Sequence, residues 1–235
     1  MSYTKGFKDG IPIGLGYLSV SFTFGMMAVR GGLTIAQAVL ISLTNVTSAG
    51  QLAGLNLMVT SAPLLEVALT QFVINLRYAL MSLSLTQKLD GSMTTPHRML
   101  FAFCNTDEVF AVASGQKGAV GKRYLYGLIT APYIGWALGT LLGAAAGTLL
   151  PEMVRDALGV AIYAMFIAIV VPPSKHNKAV RLAVLMAAAM SCALYYLPLL
   201  NWISSGFAII LCAVVVSAIC ARFFPIPDGE EDDAA

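Results

Sequence analysis

The sequence predicts an all-α protein set in a membrane: a polytopic bundle of seven or eight transmembrane helices. Three observations predict it. Apolar residues make up 58% of the chain and charged residues only 11%, where a soluble domain carries about a quarter charged. Mean hydropathy is +0.79. The apolar residues gather into runs separated by polar connectors, most of them near the ~20 residues that a helix needs to cross a bilayer core. A soluble chain of this length would expose far too much apolar surface. Net charge is +2 and no basic cluster is interleaved with aromatics, so nucleic acid is not an expected partner.

The expected spans are residues 10–29, 34–60, 63–85, 99–114, 124–150, 157–171, 179–199 and 206–223. Together they make residues 1–224 a single transmembrane transporter domain. The first ten residues are polar and contain Lys5 and Lys8. The Gly-rich run after them carries Ser and Thr and no clean small-residue cleavage site, so it reads as a retained first span. The second run is interrupted at its centre by residues 44–54, which include Asn45, Thr47, Ser48, Gly50 and Gln51. Small and polar residues at that depth mark a broken helix or a set of interhelical hydrogen bonds. If broken, the start of its second half favours an anion such as a carboxylate.

The third run contains Asn75-Leu76-Arg77-Tyr78. A guanidinium in hydrocarbon costs a few kcal/mol or more, so Arg77 must face protein or a wet cavity and needs a partner. Glu66 lies on the same face but about 16 Å away along the axis, which leaves Asp107 or Glu108 of the fourth run. Arg77 is then either a structural pin between helices or a carboxylate clamp that also tunes a proton-carrying acid. The fourth run is short. Thr106 is a possible cap, and Asp107 and Glu108 point about 100° apart on a helix. One acid can meet Arg77 while the other faces a cavity and exchanges protons. This run crosses either fully or partly, hence seven or eight spans.

The fifth run places Gly135, Gly139, Gly143 and Gly147 four residues apart, a close-packing face for a helix of the same chain or of another subunit. Its Pro132-containing start resembles the Pro12-containing start of the first run. This suggests an internal duplication, parallel with eight spans and inverted with seven, or else chance similarity between Gly-rich helices. Lys and Arg are divided between the two sides roughly nine to four with eight spans and roughly ten to three with seven. Eight spans with a cytoplasmic N-terminus is the preferred count. The tail, residues 225–235, reads as a disordered acidic end. The four cysteines and two histidines form no metal or catalytic cluster, so no metal and no cofactor is expected. No His lies in a span and no G-x-S-x-G occurs, so the chain does not read as an enzyme.

Taken in order, Gly6-Phe7-Lys8-Asp9-Gly10-Ile11-Pro12, Ala49-Gly50-Gln51, Asn75-Leu76-Arg77-Tyr78 and Thr106-Asp107-Glu108 resemble the AzlC/YgaZ family, large subunits of bacterial branched-chain amino acid exporters. The resemblance covers about residues 6–113. It implies a multi-pass inner-membrane permease that exports leucine, isoleucine, valine or related neutral amino acids such as methionine. It implies a small AzlD-like membrane subunit, and protons rather than ATP as the driving force. The chain has no P-loop. Where the family tends to have Gly, this chain has Ser48. On this reading Ser48, Gly50, Gln51, Asn75, Arg77, Thr106 and Asp107 bind the substrate, and Asp107 and Glu108 couple it to protons. The alternatives are a channel or a non-transporting membrane scaffold.

Overall fold

A computed structural model describes residues 1–224, except 148, 152, 155, 156, 158, 159, 161–166, 168, 169 and 201. Ten of the fifteen residues of the expected span 157–171 lie outside the described residues, as does the tail. The named elements are all helical: α1 (Tyr3–Arg30), α2 (Ile35–Thr44), α3 (Ser48–Val59), α4 (Leu64–Leu85), α5 (Thr95–Phe103), α6 (Asp107–Ser114), α7 (Lys122–Ala146), α8 (Lys178–Tyr196) and α9 (Ser205–Phe223). Among them α1, α4, α7, α8 and α9 are long and apolar enough to cross a membrane. The chain is a polytopic helical membrane protein.

The spine of the fold is the pair α1 and α7, packed along their lengths. The helices run parallel. Gly6 lies against Tyr124 and Leu128, Gly14 against Ala131, Gly139 against Leu18, and Gly143 against Phe22. A methyl group on Gly143 would run into the Phe22 carbonyl, and one on Gly25 into the Thr140 carbonyl. Glycine is required here because backbone meets backbone. The ladder expected in the fifth run therefore packs on a helix of the same chain. The two helices of the suspected repeat stand side by side, with Pro12 and Pro132 inside them.

The second apolar segment, expected to cross, and the fourth, expected to cross fully or partly, each leave at the end where they entered. Helix α2 has 10 residues and α3 has 12. At 1.5 Å per residue neither spans a bilayer core of ~30 Å. Helix α2 starts just beyond the end of α1, and α3 returns there: a Cβ on Gly31, which caps α1, would stand 2.7 Å from Val59 Cγ2. Across the hairpin, Gln51 Nε2 donates to Ser42 Oγ (3.2 Å). The second hairpin enters from the opposite end. His97, early in α5, contacts Tyr126 at the start of α7 (Nδ1 to Oη 2.6 Å). The turn reaches the middle of α1, where the Tyr17 and Thr106 hydroxyls are hydrogen-bonded (2.6 Å). The return ends beside the start of α1, where Lys5 Nζ donates to Gln116 Oε1 (2.5 Å). Periodicity located both interruptions, but it carries no information on the direction taken after a break.

Helix α4 runs back between the hairpins. Its buried Glu66 accepts from Ser204 Oγ (2.5 Å) and from the Gly206 amide (3.0 Å), which pins the start of α9. Helices α8 and α9, joined by residues 197–204, form an antiparallel pair beside this core. Lys5, Lys8, Lys88, Arg98, Lys117, Lys122, Arg123, Lys178, Arg181 and Arg222 all fall at the end of the bundle where α1 begins, and Arg30 falls at the other.

Candidate functional site

The two hairpin tips meet in the middle of the bundle. Irregular backbone at that depth must be satisfied by protein or line a cavity, and both occur here. Behind the first tip, Gln51 Nε2 donates to the Asn45 carbonyl (2.6 Å). Gln71 Nε2 donates to the Gly50 carbonyl (2.7 Å), and Gln71 Oε1 accepts from Asn45 Nδ2 (3.3 Å) and Asn75 Nδ2 (3.2 Å). Thr47 Oγ1 caps α3 by accepting from the Gly50 amide (3.3 Å). At the second tip, Asn105 Nδ2 donates to Ser82 Oγ (3.0 Å).

In front of the tips lies a cavity of about 190 Å³, lined by Tyr17, Val46, Thr47, Ser48, Ala49, Arg77, Tyr78, Thr106, Asp107, Glu108, Trp136 and Val170. Drug-sized ligands occupy roughly 300–1,000 Å³, so this space suits a single small solute. One hydrogen-bonded chain crosses it. Arg77 Nη1 donates to Asp107 Oδ2 (2.5 Å), Arg77 Nη2 to Tyr78 Oη (3.0 Å), and Tyr78 Oη to Thr47 Oγ1 (3.1 Å). The guanidinium also lies over the Tyr78 ring, 4.7 Å from its centre. The chain thus joins the second hairpin to α4 and α4 to the first hairpin. Glu108 meets no cation among the described residues and accepts from the Tyr17 hydroxyl.

The charges around the cavity follow from where the helices start. Helix α3 opens with no acid in its first turn, so its amide end keeps its partial positive charge. Helix α6 opens with Asp107 and Glu108. Arg77 offsets one acid, which leaves one formal negative charge on the α6 side. The arrangement is a dipole, suited to a solute with a carboxylate at one end and an ammonium at the other.

The cavity therefore brings together Ser48, Arg77, Thr106, Asp107 and Glu108. Gly50, Gln51 and Asn75 stand behind the first tip, where Gln51 is 1% exposed and fully occupied with the break itself. The charge argument that sought an acid for Arg77 holds, and the partner is Asp107. Sequence reasoning did not mark Tyr17, Thr47, Tyr78 or Trp136 as lining residues. Tyr78 and Thr47 sit next to residues it did mark. Tyr17 and Trp136 lie in Gly-rich apolar runs, where an aromatic ring reads as packing.

The sequence profile described as AzlC protein matches residues 12–150. The chain is similar to an uncharacterized membrane protein of Archaeoglobus fulgidus, 34% identical over 230 residues that cover 97% of this chain and 96% of the relative. It is 27% identical to the inner membrane protein YgaZ of Escherichia coli over 235 residues, 97% of this chain and 94% of the relative. It is 30% identical to an uncharacterized membrane protein of Helicobacter pylori over 154 residues, 62% of this chain and 66% of the relative. No solved structure matches the chain.

Proposed function

This chain belongs to the AzlC family, and on that footing we propose that it is a secondary transporter exporting branched-chain or other neutral amino acids across the inner membrane. The observation that carries the reading is the cavity enclosed between two oppositely inserted hairpin tips. It has a positive helix start on one wall and an unpaired acid on the other. A transporter places its site at the midplane, on broken helices whose amide ends face an anionic group. The α-carboxylate of the solute goes to the α3 or Arg77 side and the ammonium to Glu108 or Asp107. The aliphatic side chain goes to Val46, Ala49, Val170 and the Trp136 ring. Leucine, isoleucine, valine and methionine fit this scheme.

Protons drive the cycle, with Asp107 and Glu108 as the coupling acids. Of the two, Glu108 is the freer to exchange, because Asp107 holds Arg77. The basic end of the bundle faces the cytoplasm, as the positive-inside rule requires, and the name of the Escherichia coli relative supports the inner membrane. A small AzlD-like membrane subunit acts with this chain. Helix α8 fully buries none of its residues within the described structure, which leaves its faces turned away from α9 to lipid or to such a partner.

The test is counterflow of labelled leucine into vesicles that hold the purified protein, with and without a pH gradient. Saturable uptake stimulated by the gradient is expected. No counterflow of any neutral amino acid overturns the proposal. Because paired half-helices can also line a pore, unsaturable downhill flux would instead support a channel.

A further inference from the structure

We infer that Trp136 Nε1, together with the first amides of α3, forms the seat for the carboxylate of the transported amino acid, and that Arg77 does not. The inference rests on the transport reading above. Trp136 lines the cavity and is 2% exposed, and its Nε1 is a buried donor with no partner among the described residues. A buried polar group without a hydrogen bond is costly. Its ring is held edge-on to Tyr17, with centroids 5.1 Å apart, so the donor is fixed in place.

On the first hairpin, the amides of Ser48 and Ala49 belong to the helical turn that has no intrahelical acceptor. They make no hydrogen bond among the described residues. The first turn of α3 contains no acid. Two unused amides and a positive helix end therefore border one small cavity, and the indole donor lies buried in its wall. Arg77 is different: its charge is matched by Asp107 and it also binds Tyr78. Its role is to hold the second tip against α4, and the carboxylate has no need to displace Asp107. With the carboxylate at Trp136 and α3, the ammonium faces Glu108 and Tyr17. The cavity thus selects α-amino acids over their decarboxylated or deaminated analogues.

Trp136→Phe removes the indole donor alone, and Ser48→Pro removes an amide together with the hydroxyl, for which Ser48→Ala is the control. Trp136→Phe keeps a ring against Tyr17. Ser48→Pro removes an amide at the first helical position, where proline is favoured, and the preceding Thr47 is already extended (φ −151°, ψ 120°). Binding of labelled leucine to the purified full chain is measured, with 3-methylbutylamine and 4-methylpentanoate as competitors. Trp136→Phe should lose roughly tenfold to hundredfold in leucine affinity, the range for a hydrogen bond to a charged group, and Ser48→Pro somewhat less. Affinity for the amine, which lacks a carboxylate, should not change. Unchanged leucine affinity in both variants overturns the inference, and so does a parallel loss of amine affinity, which would indicate a packing role. If Trp136→Phe does not fold, Ser48→Pro decides alone. Failure of the wild type to bind any neutral amino acid sinks the transport reading instead.

Discussion

Hairpin α2–α3 enters from one end of the bundle and hairpin α5–α6 from the other, and each turns at a threonine that precedes a half-helix. Beyond that the two tips part. Thr47 caps its own helix, and the first turn of α3 carries no acid. The Thr106 side chain does not cap α6; its hydroxyl pairs with that of Tyr17, and the negative charge at that helix start comes from Asp107 and Glu108. Both halves present an amide end to the same cavity. One end is already neutralised by its own side chains and the other is left open for an anion. Similar geometry with opposite net charge is how an otherwise symmetrical pair of tips can orient a zwitterion.

The most damaging change should be the one that uncouples the tips. Arg77→Ala and Asp107→Asn each break the chain Asp107–Arg77–Tyr78–Thr47 and should reduce efflux to background in vesicles, with the protein still inserted. Wild-type efflux from Arg77→Ala would remove these groups from the transport cycle. The double variant Arg77→Ala, Asp107→Ala should be less harmful to folding than the singles suggest, and strictly additive losses would count against their pairing. Making the tips alike is the next test. Ser48→Asp places an acid at the start of α3. It should stabilise that helix by about 0.3–1 kcal/mol and reduce leucine affinity tenfold or more. Unchanged affinity would mean that the solute does not sense the difference in charge.

A smaller effect separates the buried scaffolding of the first tip from the exposed outer end of the second hairpin. Gln51→Ala removes the buried bonds to the Asn45 carbonyl and the Ser42 hydroxyl and should cost about 1 kcal/mol of stability, whereas Gln116→Ala should stay within about 0.5 kcal/mol. Thermal melts in detergent read both. The smallest effect belongs to the connector between α4 and α5, where the Ser92 hydroxyl and amide hold the Asp90 carboxyl below the usual carboxylate range. A depressed value in the folded state means that the contribution is complete at neutral pH and is lost as pH falls through that value. Asp90→Asn should therefore melt slightly below wild type at pH 7, and the two should converge well under about pH 3.9. Parallel curves at all pH values would show that the carboxylate charge plays no part.

Much of this was legible in the residues themselves. The cost of a guanidinium in hydrocarbon demanded an acid near Arg77, and Asp107 is there at 2.5 Å. The polar run around Thr47 and Ser48 gave away the break in the second segment. Spacing alone identified the glycine face of α7. What could not be read was the path after a break, since a straight continuation and a return show the same apolar pattern. The roles of Gln51 and Gly50 were also hidden, because the residues that mend a broken helix are as polar and as central as those that meet a solute. Trp136 was the least visible of all: only an indole nitrogen with nothing to bind distinguishes it from a packed ring.

The contact between α1 and α7 leaves no slack for sliding. Along the seam, carbonyls rest where side chains would otherwise stand, so even a single added carbon would wedge the helices apart. On the transport reading, the rearrangement that passes a solute leaves this pair as a fixed axle. The travel then falls to the short hairpins and to α4, α8 and α9, which are held by side chains and can let go one at a time.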